Sequence, residues 1–596
     1  MKQPGAALLL IAAAVALRRA TQPPFEVLET TYWQTLLPPL LGQFLAAYIV
    51  PQMAVLLAAS CWKEGFRSLA DRLLRLLSPA WVCPSLMLAA AVLFRRYGLY
   101  EAIFVSDEVC FNFHAICLAS GRLGCAPPPY PDHFQYSAFY IGPKIWTGIS
   151  FPGWPLLLAV GYLLGYPRLV SPILGAVTTL QLQALARRWY GTEAGALTGL
   201  LLLASPMFFL EACSDFSHLA ALFWAANTLL CLERVEAAGK GRGWALLGGL
   251  CLGMLVSTRQ LDAFLLLVAL LGWRVLIPRE STRPDLTQIA LVGLGVLPTS
   301  LLLFAQNTAV SGNPFVPAYF LTGEMSGQFS MGPVDRLALG CILFARVATW
   351  MVPGFLESIP SLRRGRGLFG LILLAGYTLG YGLPGGIEFG SRYLLTACVL
   401  LLPFMAGTIC RSAARKSCII PCLALSLFAA YPGEASSAMK QYRYQWALDD
   451  WLARSLPGQS LAFYRRLPTG PLGIARNDPD LAGLISVLAL DPKENLKLRQ
   501  HFADRPAFYL DWIPEQRRYQ VTPFEEPHDI NLDRICAGMN YANLRGIQPK
   551  ALEQWAQIPP DSPFYEAARQ NRIKLLNKLG RQQEAEGLQE PGRKIP

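Results

Sequence analysis

Asp107 and Glu108 are adjacent carboxylates in the run Ser106-Asp107-Glu108. They lie just beyond the apolar block Ala80–Leu99 and open an amphipathic stretch, Val109–Leu123, suited to a membrane surface. Water reaches a carboxylate at a membrane boundary, so this pair can take a proton from a hydroxyl. The plainer structural alternative is a loop in which Asp107 caps a helix starting at Glu108. Glu211 and Asp215 form a second acidic group, and Asp215 shares a helical face with His218 at i, i+3. These residues suit acceptor positioning or a divalent cation, or else an N-cap and a hydrogen-bonded histidine. Asp132-His133 follows three prolines and is a third pair, otherwise a polar turn. Arg259, Arg392 and Lys144 are cations that could pair with an anion; for the two arginines, at the ends of apolar blocks, the alternative is snorkelling to lipid headgroups.

Other chemistries lack their residues. No P-loop or dinucleotide fingerprint occurs, which removes support for nucleotide sugars or ATP. No CxxC pair occurs among the 14 Cys, which argues against zinc or redox motifs. No closely spaced carboxylate set calls for Mg²⁺ or Mn²⁺, so no cofactor is expected. Most cysteines, such as Cys251, Cys341, Cys398 and Cys422, sit in apolar blocks as small hydrophobes. Cys110, Cys117 and Cys125 share one loop, whose spacing allows a Cys117–Cys125 bridge.

The elements that must position these groups are membrane helices. Only 15% of the 596 residues are charged, against about 25% in soluble proteins, and the mean hydropathy is +0.34. Apolar blocks lie at Leu37–Ser60, Ala80–Leu99, Leu169–Leu185, Ala194–Leu210, Phe216–Leu232, Trp244–Val256, Leu261–Ile277, Ile289–Gln306, Leu337–Leu356, Leu368–Leu383, Tyr393–Cys410 and Ile419–Tyr431. With Gly5–Leu17 read as a short first span, rather than a signal-like segment, this makes about 12–13 transmembrane helices. The net charge of +12 is explained by basic loops, not nucleic acid. Arg187-Arg188, Lys240 with Arg242, Arg279 with Arg283, Arg363 to Arg366 and Arg411 to Lys416 occupy every second loop, which assigns those loops to the cytoplasm. The acidic loops then face outward, provided that Gly153–Tyr166, bounded by Pro152 and Pro167, does not cross. Arg95 and Arg96 fall on the outer side and count against this scheme.

After Tyr431 the chain turns polar. Leu461–Tyr464 and Ala507–Leu510 read as strands, Ala447–Ser455 and Asn495–His501 as helices, and Pro563–Leu588 as a helical hairpin with Leu575, Leu576, Leu579 and Ala585 at helical spacing. The fold class expected is an α-helical polytopic membrane protein with a small extracytoplasmic α/β-plus-helical domain. Its parts are residues 1–79 (extra helices and a basic loop), 80–431 (membrane catalytic domain, with the outer loop 100–152) and 432–596 (soluble domain).

Five segments resemble, in order, those of polytopic glycosyltransferases with the C-type (GT-C) fold. These are the bacterial relatives of protein O-mannosyltransferases and of the lipid A aminoarabinose transferase. The segments are Asp107 to Leu123, Phe151-Pro152-Gly153-Trp154-Pro155, Arg187-Arg188-Trp189-Tyr190-Gly191, Asn307 to Phe315, and Phe389-Gly390-Ser391-Arg392-Tyr393. The resemblance covers about Ala80 to Tyr431. It implies transfer of a sugar, with inversion, from a polyprenyl-phosphate donor to an extracytoplasmic glycan, lipid or protein, by an enzyme of the plasma (inner) membrane. It implies Asp107 as the base and Glu108 as its positioning neighbour. Arg392, Arg259, Lys144 and Tyr393 would serve the donor phosphate, and Asp215, His218 and His133 the acceptor side. The rivals are a transporter or flippase of lipid-linked saccharide, for which paired broken helices are expected, and a non-catalytic membrane scaffold.

Overall fold

A computed structural model describes residues 4–20, 48–238, 241–276, 286–322, 367–380, 392–465, 476–513, 515–516, 518–526, 529–544 and 547–589. The expected span Leu337–Leu356 lies outside these residues, as do parts of Leu37–Ser60 and Leu368–Leu383 and the cations Arg279, Arg283 and Arg363 to Arg366. The chain divides into two compact units, one of residues 1–102 and 151–443, the other of residues 103–150 and 444–596. The sequence-based division kept 100–152 with the membrane domain; here residues 103–150 fold with the C-terminal segment.

The first unit is helical throughout its described residues, and the protein is an integral membrane protein. Four described helices are long and apolar enough to cross a bilayer: Pro167–Tyr190, Leu286–Ser311, Arg392–Cys410 and Ala413–Ser455. The last runs for 43 residues, so Tyr431 is not a helix end as the change in composition suggested. Helix Gly153–Leu163 has 11 residues, a rise of about 16 Å, too short to cross, as its flanking prolines led us to expect. Helices Arg242–Thr258 and Leu286–Ser311 approach through small residues. A Cβ on Gly249 would collide with the Val292 carbonyl, and one on Gly253 with the Thr299 hydroxyl. Such i, i+4 small-residue faces let membrane helices pack backbone to backbone, and here they fix the helix that ends beside Arg259.

Ala194–Leu210, expected as one span, is two helices. Thr192–Leu203 and Pro206–Cys213 meet at a 68° bend. Pro206 lacks the amide that would continue the first helix, and the Ser205 hydroxyl instead accepts from the Phe208 amide at 3.4 Å. The carbonyls released by the break are met from a neighbouring helix. Tyr431 Oη donates to Leu203 and Ser205, and Ser426 Oγ donates to Ala204. Ser426 opens a π-helical turn, Ser426–Ala430, and Tyr431 follows it. Apolar surroundings demand such replacement partners.

Just after the second half-helix, Asp215 is fully buried. Its Oδ2 receives Arg95 Nη2 at 2.8 Å and Arg168 Nη1 at 2.5 Å, and its Oδ1 accepts from Ser171 Oγ at 3.3 Å. Its backbone carbonyl accepts from Trp154 Nε1 at 2.8 Å. One residue therefore ties together helix Val82–Tyr97, helix Gly153–Leu163, the turn Pro167–Leu169 and helix Val170–Tyr190. This resolves the cations that sat awkwardly in the charge alternation: Arg95 is committed to Asp215, and Arg96 to Glu101 at 2.9 Å. Gly153 belongs to the same junction, because a Cβ there would strike Ser257 and Thr258 at the end of the neighbouring helix.

The second unit is built on a four-stranded sheet. After a hairpin of β1 (Phe139–Ile141) and β2 (Trp146–Gly148) come β3 (Leu461–Tyr464), β4 (Ile485–Leu488), β5 (Ala507–Ile513) and β6 (Arg518–Pro523), in the order β4-β3-β5-β6. β3 pairs parallel to both neighbours, and β5 with β6 antiparallel. All of β3 and β4 is buried, as parallel strands covered on both faces are. Alternation splits the core. Ala462 and Tyr464 join Leu488 and Leu510 under the helices Ile530–Asn543, Gln548–Ala556 and Tyr565–Lys578. Leu461 and Phe463 join Ile485, Val487 and Tyr509 in a core shared with Val109, Phe113, Phe134, Phe139 and Trp146. The 103–150 segment is thus the sheet's second covering layer. Cys117 and Cys125 are joined by a disulfide. In the final hairpin Leu575, Leu576 and Ala585 are buried, but Leu579, expected beside them, is 39% exposed.

Two outcomes follow from these buried groups. Asp215→Asn removes the charge between two guanidiniums, and breaking a buried ion pair costs about 3–5 kcal/mol. The detergent-solubilised variant is expected to melt well below the parent, with part of the loss recovered by adding Arg95→Met. In the second unit, burial lowers His114 from 6.5 to about 4 and also lowers His133. The unfolded chain therefore binds these protons first as pH falls below 6.5, and stability present above that value drains away toward pH 4. Tyrosine fluorescence or hydrogen exchange followed across this range should register the second unit loosening on acidification.

Candidate functional site

Three chain segments of the first unit bring their charged ends together. Helix Ser217–Ala238 begins beside Phe216 and carries His218 in its first turn. Arg259 is the extended residue at the break between helices Arg242–Thr258 and Gln260–Leu276. Arg392 and Tyr393 open a 3-10 turn leading into helix Leu395–Leu400. Two guanidiniums from separate segments flank one tyrosine ring: Arg259 Cζ lies 5.2 Å and Arg392 Cζ 5.9 Å from the centre of Tyr393. Arg392 also lies 4.1 Å over Phe216, and aromatic faces of this kind attract guanidiniums. The His218 ring is 5.3 Å from Tyr393.

Carboxylates orient this group. Arg259 Nε is 3.3 Å from Asp262 Oδ1, and its Nη1 donates to Ser217 Oγ at 3.3 Å. Asp262 Oδ2 in turn accepts from Thr396 Oγ1 at 2.9 Å, which links the Arg259 segment to the Arg392 segment. Glu211, fully buried on the second half-helix, has Oε1 3.7 Å from His218 Nδ1. Among the described residues neither ring nitrogen of His218 has a hydrogen-bond partner. The chemistry offered is that of an anion site: guanidiniums in a water-poor setting recognise phosphate oxygens in planar, often bidentate fashion.

Of the residues singled out in the sequence, Arg259, Arg392, Tyr393 and His218 converge here. Asp215 does not, because both its oxygens serve Arg95, Arg168 and Ser171. The other four belong to the second unit. Lys144 is exposed in the turn between β1 and β2. His133 is 1% exposed, its Nδ1 is 2.8 Å from the Leu488 carbonyl, and its ring packs on Phe463. It is packed as a core histidine of the second unit, apart from the residues that converge around Tyr393.

Asp107 and Glu108 divide their tasks by one helix position. The helix spans Ser106–Ala119, so Asp107 lies inside its first turn and does not cap it. Capping falls to Glu108, 1% exposed, whose Oε2 accepts from the amides of Phe104 at 3.0 Å and Val105 at 3.2 Å. That fixes Glu108 as a backbone clamp. Asp107 remains half-buried. Burial pushes the Tyr136 hydroxyl and the Cys110 thiol each up to about 12, and the Asp107 carboxylate adds to both. Asp262 and Thr396 were missed from sequence. The available signal was an acid three residues after Arg259 at the head of an apolar block, a spacing that makes i, i+3 ion pairs.

Residues 165–306, which include His218, Arg259 and Asp262, match the family model described as dolichyl-phosphate-mannose-protein mannosyltransferase. A search of curated proteins finds no match. Among solved structures, ArnT from Cupriavidus metallidurans in the apo state is similar at 16% identity and a TM-score of 0.48, over 72% of this chain and 93% of that one. The same protein bound to undecaprenyl phosphate gives 16% and 0.45 over the same shares. The oligosaccharyltransferase of Archaeoglobus fulgidus in complex with Zn and sulfate gives 12% and 0.44, over 79% of this chain and 70% of that one. The matched family segment falls inside the region over which the sequence resembles this superfamily, and the resemblance is borne out.

Proposed function

We propose that this protein is a membrane glycosyltransferase that moves one sugar from a polyprenyl-phosphate donor to a hydroxyl of an extracytoplasmic lipid, glycan or protein. The observation that carries the reading is the meeting of Arg259 and Arg392 around Tyr393 in the membrane unit. A lipid phosphate sits at the edge of the hydrocarbon, where such a cation pair can hold it. The family match over residues 165–306 and the solved relative bound to undecaprenyl phosphate agree with that donor class.

In the proposed reaction the acceptor oxygen attacks the anomeric carbon and its proton passes to Asp107. The bond from that carbon to the phosphate oxygen breaks, and polyprenyl phosphate leaves with a growing negative charge stabilised by Arg392 and Arg259. A single displacement inverts the anomeric centre. The Cys117–Cys125 disulfide supports an oxidising, extracytoplasmic setting for the second unit. A flippase for the same lipid keeps one observation in its favour, the broken helix at Ser205-Pro206, since broken helices line transporter sites. Reconstituted protein that moves labelled lipid without transferring sugar would favour that alternative.

Asp107→Asn keeps shape and hydrogen bonding but removes basicity, and general-base assistance is worth roughly 10²–10⁴-fold. Turnover should fall by that order while donor binding persists. Arg392→Ala should instead weaken donor binding by roughly ten- to a hundredfold, the loss expected for hydrogen bonds to a charged group. Because proton and charge are both handled by side chains, transfer should survive chelation with EDTA. Full activity of Asp107→Asn, measured by sugar transfer in detergent, would sink the assignment.

A further inference from the structure

The second unit's two sequence-distant parts meet where the chain approaches Asp107. The Arg476 guanidinium, from the C-terminal segment, bonds the backbone carbonyl of Ile103 and the carboxylate of Asp449. Asp449 is itself held by Gln445 Nε2 at 2.9 Å. Beside Arg476, Asn477 exchanges two hydrogen bonds of 2.7 Å with the backbone of Ser486 in β4, so Arg476 projects from an anchored point on the sheet. The next two amides after Ile103, those of Phe104 and Val105, are taken by Glu108. The backbone from Ile103 to Val105 is thereby held on its carbonyl side by the C-terminal segment and on its amide side by the helix it leads into. Asp107 is two residues further on.

We infer that Arg476 is a positioning residue for Asp107: it fixes where the helix Ser106–Ala119 starts, and so where the carboxylate on its first turn points. This rests on the proposed role of Asp107 as the base. It gives the C-terminal segment a task beyond contact with an acceptor, namely holding a catalytic turn that lies more than 300 residues earlier in the chain. The Arg122–Asp480 ion pair, at 2.9 Å, is a second tie between the same two parts. It follows the helix instead of preceding it, and it is exposed, so it serves as an internal control.

The test uses purified full-length protein. Hydrogen exchange is read on peptides covering 103–110, and kcat and donor KM are measured separately, in Arg476→Ala, Arg476→Lys and Arg122→Ala. Displacing a reacting group by about 1 Å costs on the order of a hundredfold in rate. Arg476→Ala should therefore lose protection locally over 103–110 and lose kcat on that order, with donor KM little changed. Arg476→Lys should recover part of both, and Arg122→Ala should alter neither. Unchanged protection over 103–110 in Arg476→Ala overturns the inference and leaves the role of Asp107 standing. Protection lost across the whole second unit also overturns it, since Arg476 would then serve general stability. Local loss of protection with unchanged turnover removes Asp107 as the base, and the inference with it.

Discussion

A guanidinium buried in a helix bundle must be met by an anion, an aromatic face or a ligand, because ionised groups are costly away from water. The membrane unit is organised by how it satisfies that demand. Arg95 and Arg168 are met by Asp215, fully within the protein. Arg259 is met by Asp262, and Arg392 by the face of Phe216. The first solution is closed: one carboxylate accepts two guanidiniums and a hydroxyl, and four chain elements are locked around it. The second draws on aromatic rings as well as a carboxylate. Arg259 and Arg392 are steered by a carboxylate and aromatic rings toward a common tyrosine.

The broken helix connects the two solutions. Glu211 stands on its second half, Asp215 follows it, and Phe216 to His218 begin the next helix. The bend at Ser205-Pro206 carries this whole polar run into buried surroundings. It is stable because Tyr431 and Ser426 supply donors for the carbonyls that the bend releases. Without those hydroxyls the carbonyls of Leu203 and Ala204 would lose these donors, each at a loss of roughly 1–3 kcal/mol, whereas that of Ser205 also accepts from the Phe209 amide. The two donors stand at the start and just after the end of a π-helical turn, Ser426–Ala430.

Much of the candidate site was legible because its signals are local. Arg259 and Arg392 stand out as charges at the ends of apolar blocks. The Cys117–Cys125 bridge was within reach of spacing. What was not legible depends on long-range pairing. Nothing near Arg95 in the sequence names Asp215 as its partner. An apolar run with a proline inside reads as one span, since proline is tolerated in membrane helices when neighbours satisfy the backbone. Glu108 was expected as the neighbour that positions Asp107, and Asp107 as the cap of a helix starting at Glu108; the helix starts two residues earlier, at Ser106, so the backbone amides go to Glu108. His133 looked like a site residue because a single polar pair in a proline-rich loop carries no mark of burial.

The membership of residues 103–150 is the most instructive of these. The segment contains short apolar runs that could serve a membrane surface or a soluble core, and composition does not separate the two. The decision is made by β3, whose every residue is apolar or aromatic and which therefore needs cover on both faces. The helices Ile530–Asn543, Gln548–Ala556 and Tyr565–Lys578 cover one face, and on the other the C-terminal segment supplies Leu498 of helix Pro492–His501. The 103–150 segment is the remaining apolar layer of that unit, and its Phe113, Phe134, Phe139 and Trp146 complete the second core. The proposed role of Asp107 as a base fits this origin. Its helix is packed on a sheet, stapled by a disulfide and clamped at its start, whereas a free loop between membrane helices would leave it to wander. In the proposed reaction the lipid phosphate calls for cations at the edge of hydrocarbon and the acceptor calls for a rigid base in a polar setting. A membrane bundle provides the first and a small sheet domain the second, which gives a physical reason for one chain to carry both.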